Sequence, residues 1–483
     1  MNFKMLGRFI AQIVSIEALF LIPAMLISLG YGEMNTVLSF LYTIGIMLAV
    51  AGLLYWLCYG AGKLFGAREG LVCVGLSWIA MSVLGCLPFV FSGAIPSYVD
   101  ALFEMVSGFT TTGASILTDV ESLPRGILYW RSFSHWVGGM GVLVFLLALS
   151  PSGGGKGFTM HLLRAESPGP DVGKLVPKMR TTAMILYVIY IVLTVIDFIF
   201  LLFGRMDWLE ALCTAFGTAG TGGFGIRNDS LASFSPYIQN VTTVFMFLFG
   251  INFSCYYLLL LGNWRSVCKD EELRFYIGLA LGVAALIAFN VRSLYGTWEE
   301  TIRHSAFQVS SIITTTGYGT ADFNLWPSFS KALIMLLMVL GACAGSTGGG
   351  LKCARVLLLL KSLRRNTHRI VDPQKVQVVR TGGRTVSETV LDNTNAYFAA
   401  YVTIIVGSFL LLSLDGQTVG TNLSAVLACF NNIGPGLEAV GPTQNFSQFS
   451  DWAKLLLSFD MLAGRLEIFP MLILFSRSSW RRR

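Results

Sequence analysis

The chain has 483 residues, 54% of them hydrophobic and only 13% charged, with a mean hydropathy of +0.66 and a formal net charge of +7. A soluble domain carries charge on about a quarter of its residues. Here apolar runs of about 20 residues, enough to cross a bilayer, recur throughout, and so many would leave a soluble fold without a polar surface. Composition therefore excludes a soluble globular protein and predicts an all-α polytopic membrane protein.

In chain order, Lys4 and Arg8 precede an apolar run from Phe9 to Leu29. The run exceeds the roughly 7–15 residues of a secretory h-region and no convincing cleavage site follows, so it reads as a retained membrane helix. With a second helix it forms an N-terminal pair, about 5–31 and 36–62, in a unit 1–70. Four pseudo-repeated units of helix, pore loop and helix come next, at 71–180, 181–273, 274–393 and 394–483. The first predicts helices at 71–95, 98–109 and 127–150, and the second at 181–204, 207–219 and 237–262. The third predicts 275–291, 298–313 and 328–360, and the fourth 395–414, 419–430 and 452–475. No separate soluble domain is expected; Pro151–Lys156 reads as a glycine-rich linker.

Each unit carries a Thr/Gly string after its short middle helix. The clearest are Thr110-Thr111-Thr112-Gly113-Ala114 and Thr314-Thr315-Thr316-Gly317-Tyr318-Gly319. Looser versions are Thr221-Gly222-Gly223-Phe224-Gly225 and Asn432-Ile433-Gly434-Pro435-Gly436. The glycines at 113, 223, 317 and 434 lie 110, 94 and 117 residues apart, a degenerate repeat. One such string is an ordinary turn; four in the same setting predict a pore. Non-helical backbone at membrane depth is tolerated where it lines a water-filled path. Glycine lets successive carbonyls turn toward an axis, and threonine hydroxyls can add oxygen ligands. Oxygen-only coordination suits a hard monovalent cation, and the C-terminal end of each short helix favours a cation at the centre. Gly317-Tyr318-Gly319 is close to the potassium-channel filter.

Basic residues set the orientation. Lys63 and Arg68, the group from Lys156 to Arg180, Arg265 to Arg274, Lys361 to Arg384, and Arg477 to Arg483 fall on one side if ten helices cross and the four short ones re-enter. That places both termini and the basic loops in the cytoplasm. The nine cysteines and four histidines are dispersed without metal-ligand spacing. No Ser/His or carboxylate pair supports a membrane hydrolase, so no enzyme activity is expected.

On these residues the chain resembles the Trk/Ktr/HKT superfamily of cation transporters, and within it the TrkH type. The strings that carry the resemblance are Ser107-Gly108-Phe109-Thr110-Thr111-Thr112-Gly113-Ala114, Ala344-Gly345-Ser346-Thr347-Gly348-Gly349-Gly350-Leu351-Lys352, Asn431-Asn432-Ile433-Gly434-Pro435-Gly436 and Gly464-Arg465-Leu466-Glu467. The resemblance implies uptake of K+, without an organic cofactor, across a bacterial cytoplasmic membrane. It also implies potassium-binding filters at Thr110, Thr111, Thr112 and Gly113; at Thr221, Gly222 and Gly223; at Thr315, Thr316 and Gly317; and at Asn432, Ile433 and Gly434. The second filter departs most, lacking the threonine run.

The glycines from Gly345 to Gly350, with Ser346 and Thr347 between them, should break a helix at mid-membrane. Close helix packing is the plainer use of small residues, but a run this dense also unwinds the backbone. It is expected to form a gate loop, which the family also has here. Arg465 lies in an apolar segment, where insertion costs about 2.5–3.5 kcal/mol, so it should face the pore or a partner. It either pairs with Asp460 or Glu467 or forms a positive barrier that touches the gate. Asp119, Glu121, Asp229, Asp322 and Glu438 follow the filters and could attract cations to the mouth.

The loop from Lys361 to Arg384, with Val376-Gln377-Val378-Val379, could meet anionic lipid or a regulatory protein. The resemblance implies a TrkA-type cytosolic nucleotide-binding ring on a membrane homodimer. No phosphate-binding glycine fingerprint is present, and the positive charge is topogenic, so no nucleic-acid partner is expected. Two other readings are the potassium-translocating subunit of a P-type ATPase complex and a sodium-permeable family member.

Overall fold

A computed structural model of the chain describes residues 2–60, 67–141, 179–374 and 377–480. Among these residues, regular structure is helical apart from a hairpin of Arg380–Thr381 with Arg384–Thr385. The protein is an all-α polytopic membrane protein.

The chain opens with α1 (Phe3–Gly30) and α2 (Met34–Leu57), joined by a short turn. Asn2 caps α1 by accepting from the Met5 amide. The first unit contains α3 (Ala67–Gly85), its extension α4 (Leu87–Phe91), the short α5 (Tyr98–Phe109) and α6 (Arg125–Gly139). The second contains α7 (Met179–Phe203), α8 (Trp208–Gly220), α9 (Pro236–Phe249) and α10 (Phe253–Leu260). After α11 (Trp264–Cys268), the third contains α12 (Glu271–Val291), α13 (Trp298–Ile313), α14 (Ser328–Leu340) and α15 (Cys353–Val371). The fourth contains α16 (Glu388–Leu412), α17 (Val419–Phe430), α18 (Asp451–Arg465) and α19 (Phe469–Phe475).

The four short helices form where the sequence predicts them, and each starts on a capping side chain. Ser97, Asp207, Thr297 and Thr418 accept from the amides of Asp100, Leu209, Glu300 and Thr421 at 3.1–3.4 Å. These helices are largely buried, α5 through Phe103, Val106 and Phe109 and α13 through Phe307, Val309 and Ile312. The long helices surround them. On α7 the exposed stripe is Val188, Ile191, Val195 and Ile199, a face suited to hydrocarbon. The opening hairpin is tied in at its turn: the Glu33 carboxylate accepts from the amides of Arg125 and Gly126 at 2.6 and 3.3 Å, filling the first turn of α6.

The closing segments differ from expectation. Among the described residues, six helices are long and apolar enough to cross a membrane, or seven if α9 and α10, bent by 89° at their break, are counted as one span. The sequence reading needed ten crossings and broke only the third unit's closing helix. Three closing segments are in fact broken: at 250–252, over 341–352, and at 466–468. Tightly packed glycines stand at or beside two of these breaks, Gly250 and Gly464, and at the end of α6. A Cβ on Gly138 or Gly464 would stand 1.9 or 1.8 Å from the carbonyl oxygen of Phe109 or Phe430, at the end of that unit's short helix. A Cβ on Gly250 would stand 2.8 Å from Thr314 Cγ2. The continuation of α6 to 150, the Pro151–Lys156 linker, Lys63, Lys156, Lys174, Lys375, Val376 and Arg481 to Arg483 lie outside the described residues.

Candidate functional site: a ring of four filters

The site begins at the C-termini of α5, α8, α13 and α17. Each helix ends in the same double hydrogen bond. Thr111, Thr221, Thr315 and Asn432 donate their amides to the carbonyls of Gly108, Thr218, Ile312 and Cys429 at 3.1–3.2 Å. The next residues, Thr112, Gly222, Thr316 and Ile433, donate to Ser107, Gly217, Ser311 and Ala428 at 2.8–2.9 Å. This is the Schellman closure, whose left-handed residue is usually glycine. Here it is Thr111, Thr221, Thr315 or Asn432, at φ 54–58°. A threonine there costs about 1–2 kcal/mol, so the surroundings hold three strained residues in register, while asparagine is at home in this position.

Two residues on, Gly113, Gly223, Gly317 and Gly434 have φ of 79, 70, 89 and 94°. Each is pressed against the next filter. A Cβ on Gly113 would lie 2.1 Å from the Gly222 oxygen, and one on Gly223 would lie 1.9 Å from that of Thr316. A Cβ on Gly317 would lie 2.1 Å from the Ile433 oxygen, and one on Gly434 would lie 2.8 Å from that of Thr112. The contacts run from the first unit to the second, third and fourth and return to the first, so the strings close into one ring. All four glycines line a single cavity of about 100 Å³. A ring of backbone carbonyls with helix C-termini aimed at it can replace the hydration shell of a cation. No cluster of His, Cys, Asp or Glu fit to hold a metal ion occurs among the described residues.

The threonine hydroxyls do not all behave as expected. Thr110 and Thr112 share a 2.8 Å hydrogen bond, as do Thr314 and Thr316. Thr110 also donates to Val106 and Thr314 to Ser310. These hydroxyls brace the strings; the ring itself is built of main-chain oxygens.

The glycine-rich run lies directly beneath this ring. It has no helical structure from Gly341 to Lys352, and Gly341, Gly345, Gly350 and Lys352 have positive φ. The Gly349 amide donates to Thr315 Oγ1 at 2.6 Å. Cβ atoms on Gly348 and Gly349 would lie 2.8 and 2.4 Å from the oxygens of Thr314 and Asn431. Arg465 donates to the Thr347 carbonyl at 2.8 Å and to those of Gly138 and Gly139 at 2.5 and 2.6 Å. It therefore straps the third unit's loop to the end of α6. Of the two acids considered as its partners, Glu467 pairs with Arg355, and Asp460 accepts from Ser408 at 2.7 Å.

Sequence reading missed two supports of this loop. Glu272 Oε1 accepts from the amides of Ala344 and Ala354 at 2.6 and 3.0 Å, clipping together the two ends of the run. Lys352 Nζ donates to the Gly348 carbonyl, folding the loop on itself. Glu272 has no local signature, since it stands more than seventy residues from the amides it holds, whereas Lys352 lies at the end of the run itself.

The five acidic residues that follow the filters are all held by hydrogen bonds. Asp119 accepts from Asn228 Nδ2 at 3.0 Å, and that amide holds its carboxyl below the usual carboxylate range. Glu121 accepts from the Asn228 amide, Asp229 from Ser233, Asp322 from Asn324 and Glu438 from Thr421. None of these five is among the described residues lining the cavity, whereas Arg131 and Arg227 are. Arg131 is neutralised by buried Glu104 at 2.6 Å, lies 3.6 Å over the Phe224 ring and donates to the Gly225 carbonyl.

Comparison with known proteins agrees with this arrangement. The profile of the TrkH family, described as a cation transport protein, matches residues 37–482. The Trk system potassium uptake protein TrkH of Escherichia coli K12 is 36% identical over 487 residues, covering all of both chains. TrkH of Halomonas elongata is 34% identical over the full length of both, and TrkG of Escherichia coli K12 is 32% identical over 97% of each. The crystal structure of the potassium transporter TrkH from Vibrio parahaemolyticus superposes with a TM-score of 0.89 at 30% identity, covering both chains completely. The chain belongs to the TrkH family of cation transport proteins.

Proposed function

We propose that this protein takes up potassium through the ring of four filters, one pore per chain. The observation that carries the reading is the closed circuit of contacts in which each filter glycine meets the carbonyl preceding the next one. Thr110 to Gly113, Thr221 to Gly223, Thr315 to Gly317 and Asn432 to Gly434 are the ion-binding stretches, with K+ as cargo. The run Gly345 to Gly350 is the gate, and Arg465 holds it against the ring while placing positive charge under the path. The relatives named as potassium uptake proteins and the TrkH structure favour this reading over a subunit of a P-type ATPase complex.

The membrane is the bacterial cytoplasmic membrane, with both termini and the basic loops inside. The partner is a TrkA-type cytosolic ring acting on a homodimer. The support is placement: α15, with Lys361, Arg364, Arg365 and Arg369, follows the gate run directly. It is tied to α12 and α16 by Lys361 with Glu271 and Arg365 with Glu388. A force on α15 is thereby passed to the gate; anionic lipid is the other surface these cations suit.

The test is cation flux into proteoliposomes holding the purified protein, comparing potassium, rubidium, sodium and lithium, with Gly317→Ser beside the wild type. Potassium and rubidium flux well above sodium, with sodium rising in the variant, supports the reading. Equal flux of all four ions rejects selectivity. Absence of flux even in Arg465→Ala rejects the gate assignment.

A further inference from the structure

In three filters the residue before the filter glycine is β-branched: Thr112, Thr316 and Ile433, all fully buried. Such side chains stiffen their own backbone and fill the space behind it. The second filter has Gly222, the residue with the greatest backbone freedom. Its carbonyl nevertheless takes its place in the ring, facing Gly113. Gly222 is not in the left-handed region, so its conformation does not call for glycine.

What calls for glycine is His135. A Cβ on Gly222 would fall 1.2 Å from His135 Nδ1, 2.2 Å from Cε1 and 2.3 Å from Cγ, so the imidazole stands where a side chain at 222 would stand. His135 comes from α6, in the first unit. Its carbonyl carbon would lie 2.6 Å from a Cβ on Gly220, so its backbone also packs on this filter. The ring meets Phe224 edge-on at 4.1 Å between centroids, and Arg131 lies 3.6 Å over Phe224. His135 is fully buried, and neither ring nitrogen has a hydrogen-bond partner among the described residues. A packing residue in that position would ordinarily be apolar, since burying unpaired polar atoms is costly.

We infer that His135 supplies from a neighbouring unit the side chain that the second filter lacks, and is a specificity-determining positioning residue for that filter. The inference rests on the selectivity reading above. It explains how a filter without a threonine run keeps its carbonyl in the ring. It also accounts for the glycine at 222, where any side chain would meet the ring of His135.

The experiment is an exchange of the two side chains, read as the ratio of potassium to sodium flux in proteoliposomes. His135→Ala should lower that ratio by about tenfold, equivalent to about 1.4 kcal/mol between the ions. The double variant His135→Ala/Gly222→Thr should recover most of it. Gly222→Ala alone should be as damaging as His135→Ala, because its methyl meets the imidazole. An unchanged ratio in His135→Ala, or a double variant no better than the single, overturns the inference. If His135→Ala does not assemble, the exchange still decides: a double variant that assembles and selects supports the inference, and one that also fails overturns it. A wild type without potassium preference would reject the underlying selectivity reading instead, a result visible before any variant is made.

Discussion

A methyl group on Gly223 would meet the Thr316 carbonyl oxygen at 1.9 Å, whereas one on Gly434 would meet that of Thr112 at 2.8 Å. The four filter glycines are therefore unequal. Replacing each by serine should raise sodium flux, with Gly113, Gly223 and Gly317 affected strongly and Gly434 least; flux ratios for the four variants test that order. At the glycine-rich loop, Glu272 can be separated from the filter. Glu272→Ala should raise basal potassium flux by about tenfold, since leaving a buried amide without an acceptor costs about 1–3 kcal/mol. The ion preference should stay unchanged, and Glu272→Gln, which keeps an acceptor, should fall between. Arg465→Ala acts on the same loop, so the double variant should gain less than the sum of the singles. Additive gains would show that the two residues hold different elements.

At the scale of elements, the short helices and the closing segments have different origins. Each short helix has a local start signal and a backbone-determined stop. Removing a cap, as in Ser97→Ala or Thr297→Ala, should lower thermal stability by about 1 kcal/mol. Selectivity should persist, because the strings are fixed at the opposite end. A thermal melt with a parallel flux assay checks both halves. In the closing segments, Gly250 and Gly464 stand at or beside breaks and are packed against the short-helix ends of the next unit and of the same unit respectively. Composition gave notice of a break only in the third unit, where the glycines are dense. At Gly250-Ile251-Asn252 and Leu466-Glu467-Ile468 the local sequence has only isolated polar residues and no dense glycine run to mark a break.

Across the whole molecule, the units are held in order by side chains that cross between them. Glu104 and Arg131 are both almost fully buried, and they join the first filter's loop to the second through Ser115, Ile116 and Gly225. Removing one member of a buried pair typically costs about 3–5 kcal/mol, while replacing both by apolar groups is often tolerated. Glu104→Gln should therefore lose both stability and potassium flux, as an unpaired guanidinium then lies at the mouth. Glu104→Leu/Arg131→Met should regain stability. Melting curves distinguish the cases, and a double variant no more stable than Glu104→Gln would contradict the pairing.

Much of this molecule is written locally. Hydropathy specifies a helical membrane protein. Capping residues and amphipathic patterns bound the four short helices to within a residue or so, and the Thr/Gly strings mark where backbone leaves helical form. Gly345 to Gly350 and Arg465 can be singled out because breaking a helix and burying a charge are costs paid at the residue itself. The closure of the ring, the left-handed Thr111, Thr221, Thr315 and Asn432, the carbonyl acceptors of Arg465, the clip at Glu272 and the placement of His135 behind Gly222 depend on the tertiary structure. Apart from the helix-end residues, each is a contact between stretches of chain far apart in sequence, most of them made to main-chain atoms that every residue carries alike. A main-chain carbonyl leaves no mark on the sequence, so its partner becomes visible only when the units are brought around a common axis.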